Sequence, residues 1–380
     1  MEKDELRIGL SFDDVLLTPG YADFIREDID LRARFTKHIT LQIPFVSSPM
    51  DTVTDGNFAL ALAKIGGIGV IHRNLKIKDQ AEEVKKVKTG GDVAAAATGV
   101  REGYKERLEV LLSAGLDAVC LDSAHGFTNQ MIDAVKYIKK QHPKLEVIAG
   151  NVATYDGALA LADAGADAIR VGMGPGSICT TRVISGMGVP QFIAVREASR
   201  AAKKYDIPII GDGGIKYSGD IVKALAAGAG TVMMGSFFAA CAEAPGEVTM
   251  LPADQVPHRF KSIFREGTTT YAFKRFRGMG SPGAMREGAR ISSEDEFHGK
   301  SFKDKVLIAE GVESLVPLKG SLKDVCDQAV GGIRSGMYYV GAKTIPELQK
   351  KAVFIRITNS SLRESHPHDV LVTNPGNNYF

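Results

Sequence analysis

The sequence predicts a (β/α)₈ barrel, read as a single catalytic domain over residues 1–380. Two observations carry that prediction. From residue 43 onward, short apolar runs alternate with amphipathic helical patterns, and the alternation recurs eight times. Six of the runs end in small or polar tails, SSPMDT, DSAHG, GNV, GPGSICTT, GDGG and MMGS. Eight strand–helix repeats favour a closed barrel over an open doubly wound sheet. Barrel enzymes build their sites at the C-terminal ends of the strands, where all six tails fall.

Taken in order, residues 1–40 read as irregular, with turn signals in SFDDVLL and LTPGYADF. Strands are predicted at 43–48, 68–71, 93–97, 118–122, 146–150, 168–171, 207–212 and 231–234. Their near-continuous apolar character suits parallel strands buried on both faces. Helices are predicted at 57–65, 76–86, 104–114, 130–140, 158–164, 193–203 and 218–227. Residues 240–322 form a long insertion rich in Arg, Gly, Ser and Glu, which reads as a functional lid or a surface excursion. The C-terminal tail reads as irregular, and its His366 and His368 lack an evident third metal ligand.

Composition narrows the function. With 47 basic and 45 acidic residues, the formal charge of +2 gives no global attraction to nucleic acid. Four scattered cysteines with no CxxC spacing argue for a reducing compartment and against structural zinc. The N-terminus is too charged for a secretory signal, and no apolar window spans a membrane. The expectation is a cytoplasmic protein.

The chemistry concentrates in residues 171–191, VGMGPGSICTTRVISGMGVPQ. Glycines there permit close backbone approaches and can turn main-chain amides or carbonyls toward an ion. Cys179 stands in that loop as a nucleophile or as a buried small hydrophobe; the residues alone leave both open. Gly213, Gly214, Gly235 and Ser236 follow the seventh and eighth strands, where such barrels often bind phosphate.

At GPGSICTTR the sequence resembles the inosine-5′-monophosphate dehydrogenase and guanosine-5′-monophosphate reductase family. LSFDDVLLTP, PFVSSPMDTVT, GGIGVIHRN, IAGNVAT, RGMGSPGAM, EGVESLVPLKG and LRESHPHDV extend the likeness nearly end to end, and DSAHG and YSGDIVKALAAGA resemble the dehydrogenase side. The resemblance implies a barrel, usually a homotetramer, that oxidises inosine monophosphate (IMP) to xanthosine monophosphate (XMP) with NAD. It implies Cys179 as the nucleophile that forms a thioimidate, with Thr181 and Glu310 as a relay to water. It implies Ser48, Met50, Ser177, Asp212, Gly214, Gly235, Ser236, Met279 and Gly280 around the nucleotide. Asp122, Ser123, Asn151, Arg170 and Gly172 would serve NAD. Potassium would sit on the carbonyls of Gly174, Gly176 and Cys179, completed by Glu364, Ser365 and His366 of a neighbouring subunit.

Three departures from the family pattern stand out. Residues 89–91 form a short linker where the family inserts a pair of CBS modules. No adjacent Arg-Tyr pair occurs in 278–320, where the family's water-activating arginine is expected; Arg286 and Arg290 are substitutes or plain surface charge. Phe276 stands where a tyrosine is expected to reach the substrate phosphate. The altered flap keeps a reductase of guanosine monophosphate (GMP) as an alternative, alongside a non-catalytic purine-nucleotide-binding protein.

Overall fold

The computed structural model describes residues 6–257, 260, 267–294, 308–370, 372, 373 and 376. Among them, eight parallel strands close into a barrel: β1 (Phe45–Ser47), β2 (Ile68–Ile71), β3 (Ala95–Thr98), β4 (Ala118–Asp122), β5 (Glu146–Val152), β6 (Ala168–Val171), β7 (Ile209–Asp212) and β8 (Thr231–Met234). Each strand neighbours the next in sequence, and β8 returns to β1 with Val232 opposite Phe45. The (β/α)₈ barrel expected from the sequence is the fold observed.

Three strands start later than expected, each for a local reason. Pro44 and Pro208 have no N–H to give a ladder, so β1 and β7 begin one residue after them. The Ala94 amide donates to Asp117 Oδ2 at 2.8 Å, and β3 begins at Ala95.

Helices Gly56–Lys64, Ile77–Thr89, Tyr104–Ser113, Asn129–Gln141, Tyr155–Asp163, Gln191–Ala202, Ser218–Ala226 and Leu322–Val340 belong to the alternation. Side chains of Asp55, Thr128 and Thr154 cap three of them by accepting from the amides of Phe58, Met131 and Gly157. The Thr154 cap explains why the helix expected from 158 starts at Tyr155. Strand and helix faces bury two large apolar clusters outside the barrel. A third fills its interior: Val46, Ile68, Val70, Ala95, Ala97, Ala118, Cys120, Ile148, Ala168, Ile210 and Met233.

The segments read as irregular prove partly regular. Val15–Leu17 pairs antiparallel with Phe354–Arg356. A small hairpin, Ala33–Arg34 with Thr40–Leu41, brings Phe35 and Leu41 into the interior cluster. His38 on that hairpin meets Glu146, at the start of β5, at 2.7 Å, which places it at the N-terminal mouth. The tail carries a helix, Asn359–Glu364, capped by Thr358.

The long insertion holds an antiparallel sheet of Val248–Pro252, Thr270–Arg277 and Glu313–Pro317, and a helix, Pro282–Glu294. Its strands went unread because charged residues interrupt the apolar pattern. Lys274, for one, is buried and donates its Nζ to the Ala242 carbonyl at 2.9 Å. Residues 295–307, part of the expected flap, lie outside the described residues. Among the described residues, no helix is long and apolar enough to cross a membrane.

Candidate active site

Strand periodicity of two builds the floor of the site. Cys120, Ala168 and Ile210 point into the barrel, so Asp122, Arg170 and Asp212 do too, one layer nearer the C-terminal mouth. Arg170 bridges the carboxylates, NH1 to Asp122 Oδ1 at 2.6 Å and Nε to Asp212 Oδ2 at 2.9 Å. Arg73, after β2, takes the other Asp122 oxygen at 3.2 Å. Asn151 Nδ2 donates to Asp212 Oδ2 at 2.8 Å and to the Gly172 carbonyl at 2.9 Å. Its own Oδ1 is buried with no hydrogen-bond partner among the described residues.

Burial alone would push the Asp122 carboxyl up, but Arg170 and Arg73 outweigh it and hold it below the usual range. Burial opposes the Arg170 charge, and Asp212 and Asp122 overcome it and raise its pKa. Because the folded Asp122 pKa is depressed, the stability it contributes is present above the unfolded carboxylate value. It is lost as pH falls through the folded one. Replacing Arg170 with methionine leaves Asp212 without its cation and Asp122 with Arg73 alone; a loss of about 3–5 kcal/mol in urea unfolding is expected. A loss under about 1 kcal/mol would show that neither carboxylate depends on the guanidinium.

The loop after β6 is held in two places. Arg182 reaches back across it, its NH2 donating to the carbonyls of Met173 at 3.2 Å and Val189 at 2.7 Å. A Cβ on Gly174 would lie 2.6 Å from Arg182 Cγ, and Gly174 has a φ of +76°, so a glycine is required there. The second hold comes from the insertion. Val312 N donates to the Ile178 carbonyl at 3.0 Å, and Thr180 N to the Glu310 carbonyl at 2.9 Å. Between these bonds the half-buried Cys179 Sγ donates to Thr181 Oγ1 at 3.3 Å, and Thr181 Oγ1 donates to Glu310 Oε2 at 2.8 Å. Thiol, hydroxyl and carboxylate thus stand in one hydrogen-bonded series, which can carry a proton off sulfur or off water.

Loops after β1, β7 and β8 converge nearby. A Cβ at Gly235 would lie 3.1 Å from Met50 Sδ, 3.5 Å from Phe276 Cζ and 3.6 Å from Ser48 Oγ. Gly214 has a φ of +79° and packs against Gln191, whose Nε2 donates to the Asp212 carbonyl. Ser236 opens the short helix after β8, and Ser177 is exposed on the Cys179 loop. The Gly280 carbonyl accepts from Glu310 N at 3.1 Å, so Met279 and Gly280 sit beside the relay. Ser123 exchanges backbone bonds with Gly150 and Asn151, at the NAD side expected from sequence.

Glu364 ends the tail helix, and Ser365 and His366 make contacts within the chain. Ser365 Oγ donates to the Ser361 carbonyl, and the His366 ring lies 5.9 Å from that of Tyr217. Arg286 is exposed, and Arg290 pairs at 2.6 Å with Glu287 on its own helix, the geometry of surface charge. Arg73, Gln191, Asp51 and Arg277 join the site without having been singled out. A polar residue just past β2 was the available signal for Arg73.

A sequence model described as the IMP dehydrogenase / GMP reductase domain matches residues 9–368. Similar relatives include the inosine-5′-monophosphate dehydrogenase of Aquifex aeolicus (strain VF5), 38% identical over 504 aligned positions, covering 99% of this chain and 98% of the relative. That of Cryptosporidium parvum is 40% identical over 414 positions and covers 98% of each. That of Borreliella burgdorferi (strain ATCC 35210 / DSM 4680 / CIP 102532 / B31) is 40% identical over 412, covering 95% of this chain and 97% of the relative. The Aquifex alignment is far longer than this chain's 380 residues, so that relative carries a segment with no counterpart here. With the match running through the strands, the Cys179 loop and the insertion, the chain belongs to the IMP dehydrogenase / GMP reductase family.

Proposed function

We infer that this chain oxidises IMP to XMP with NAD, a step in guanine nucleotide synthesis. The observation that carries the reading is the series Cys179–Thr181–Glu310 at the C-terminal mouth of the barrel. Cys179 Sγ bonds to purine C2 and gives up its proton to solvent. NAD, when bound, accepts the hydride that C2 releases. The purine is left on Cys179 as a thioimidate. Glu310, through Thr181, takes a proton from the attacking water; the C2–S bond then breaks and XMP departs.

The other residues divide by side. Ser48, Met50, Ser177, Gly214, Gly235, Ser236, Met279 and Gly280 hold base, ribose and phosphate. Both bonds to the Asp212 side chain fall on Oδ2, which leaves Oδ1 for ribose hydroxyls. Phe276 offers the phosphate no hydroxyl, a loss of uniform binding that weighs on KM. The unpartnered Asn151 Oδ1 fits a donor on NAD, alongside Asp122, Ser123, Arg170 and Gly172. Both Asp122 oxygens carry arginines, and the half-exposed Arg73 is the one free to yield to a ribose.

Potassium suits the neutral carbonyls of Gly174, Gly176 and Cys179, joined by Glu364, Ser365 and His366 of a neighbouring subunit, and so calls for an assembly, which we read as a tetramer. Helix Ile77–Thr89 reaches β3 through a short turn at Gly90 and Gly91, so control through CBS modules is absent in this reading. The altered flap favours one second reading, NADPH-dependent reduction of GMP to IMP by the same thiol.

The test follows NADH absorbance with IMP, NAD and potassium at enzyme concentrations that resolve one turnover. Continued NADH growth is the expected result. A burst ending near one equivalent leaves oxidation without hydrolysis. No NADH, with NADPH consumed on GMP, moves the assignment to the reductase.

A further inference from the structure

One buried ion pair lies just outside the chemistry described. Arg277 closes the strand Thr270–Arg277, and its guanidinium grips Asp51 with Nε at 3.1 Å from both carboxylate oxygens and NH2 at 2.6 Å from Oδ2. The pair is largely shielded, with side-chain exposures of 17% and 9%. Asn74 Nδ2 donates to the same Asp51 oxygen at 2.9 Å, and Arg277 N to Thr52 Oγ1 at 3.3 Å. Asp51 and Asn74 belong to the loops after β1 and β2, whereas Arg277 belongs to the insertion. The barrel therefore clamps the insertion here, in addition to the bonds that join residues 310–312 to the Cys179 loop.

The backbone just past Arg277 connects this clamp to the chemistry. The turn 278–281 holds the relay strand, with Gly278 N donating to the Val312 carbonyl at 3.0 Å and Glu310 N to the Gly280 carbonyl at 3.1 Å. Arg277 also stands opposite Glu313 in the sheet. Asp51 thus reaches Glu310 through one side chain and a short stretch of paired backbone. Cys179 has support beyond its bonds to the 310–312 backbone, because Arg182 ties its loop through Met173 and Val189 and Cys179 N donates to the Gly176 carbonyl.

We propose that Asp51 and Arg277, with Asn74, are positioning residues that set Glu310 against Thr181 and thereby govern the hydrolytic half of the reaction more than hydride release. This rests on the dehydrogenase reading above. Misplacing a reacting group by about 1 Å costs on the order of 100-fold, and that is the scale expected here.

The experiment compares wild type, Asp51→Asn, Arg277→Lys and Asn74→Ala by rapid-mixing NADH absorbance with IMP, NAD and potassium. In Asp51→Asn the first-turnover rate should stay within about threefold of wild type, while steady-state turnover falls about 10- to 100-fold. Arg277→Lys should act in the same direction, and Asn74→Ala more weakly. The discriminating readout is the Glu310→Gln background, where Asp51→Asn should add less than about threefold because its effect runs through Glu310. Equal losses in both phases, additive losses in that background, or an unchanged steady state in the two ion-pair variants would overturn the proposal. If Asp51→Asn does not fold, Arg277→Lys and Asn74→Ala decide it by the same criteria. Absence of NADH from the wild type would instead defeat the dehydrogenase reading, and this proposal with it.

Discussion

Cys179→Ala is expected to lower NADH formation from IMP by more than about 10⁴-fold, while IMP binding measured by calorimetry stays within about tenfold. Purine C2 is a poor electrophile, and hydride does not leave it until a nucleophile has added. Among the residues grouped at the site, only Cys179 supplies a thiol within reach of a hydroxyl–carboxylate relay. The three other cysteines are buried, and burial pushes Cys120 and Cys241 up to about 12, so neither substitutes as a thiolate. The loop itself should survive the change, since Arg182 and the 310–312 backbone hold it without the sulfur. Residual oxidation within about 100-fold of wild type would remove the covalent step from the mechanism.

Glu310→Gln is expected to cut steady-state turnover by about 10²- to 10³-fold and to leave a burst of nearly one NADH per active site. The substitution keeps the shape and a hydrogen bond to Thr181 but removes the basic oxygen that receives its proton. With the Arg-Tyr pair missing from the sequence, this carboxylate, which ends the thiol series, is the general base we propose. Thr181→Val should reproduce the effect by cutting the same chain one link earlier. A steady state unchanged in both variants would show that water is activated elsewhere.

The barrel was legible because buried parallel strands and their helices impose two different periods on the sequence. The ends of β4, β6 and β7 were legible too, since Asp122, Arg170 and Asp212 are polar residues at or near the ends of apolar runs. Their pairing was not, because which carboxylate an arginine reaches depends on the curvature of the closed sheet. The Asp51–Arg277 contact joins residues 226 apart, and nothing local in either segment announces the other. The insertion sheet escaped for a different reason. Its middle strand buries Tyr271, Phe273 and Phe276 but also Lys274, so the alternation that marks a half-buried strand is broken.

The seam between β8 and β1 carries a consequence for synthesis of the chain. Val232 pairs with Phe45, so the cylinder stays open until the chain has been made as far as residue 232. Until then, β1 and the newest strand each expose an unpaired edge. Glu310 arrives later still, which means the nascent chain acquires a closed scaffold before it acquires the proposed base. The vulnerable interval for mispairing with other chains is therefore the one before residue 232 emerges, when the edges are free and long-range closure has not yet repaid its entropy.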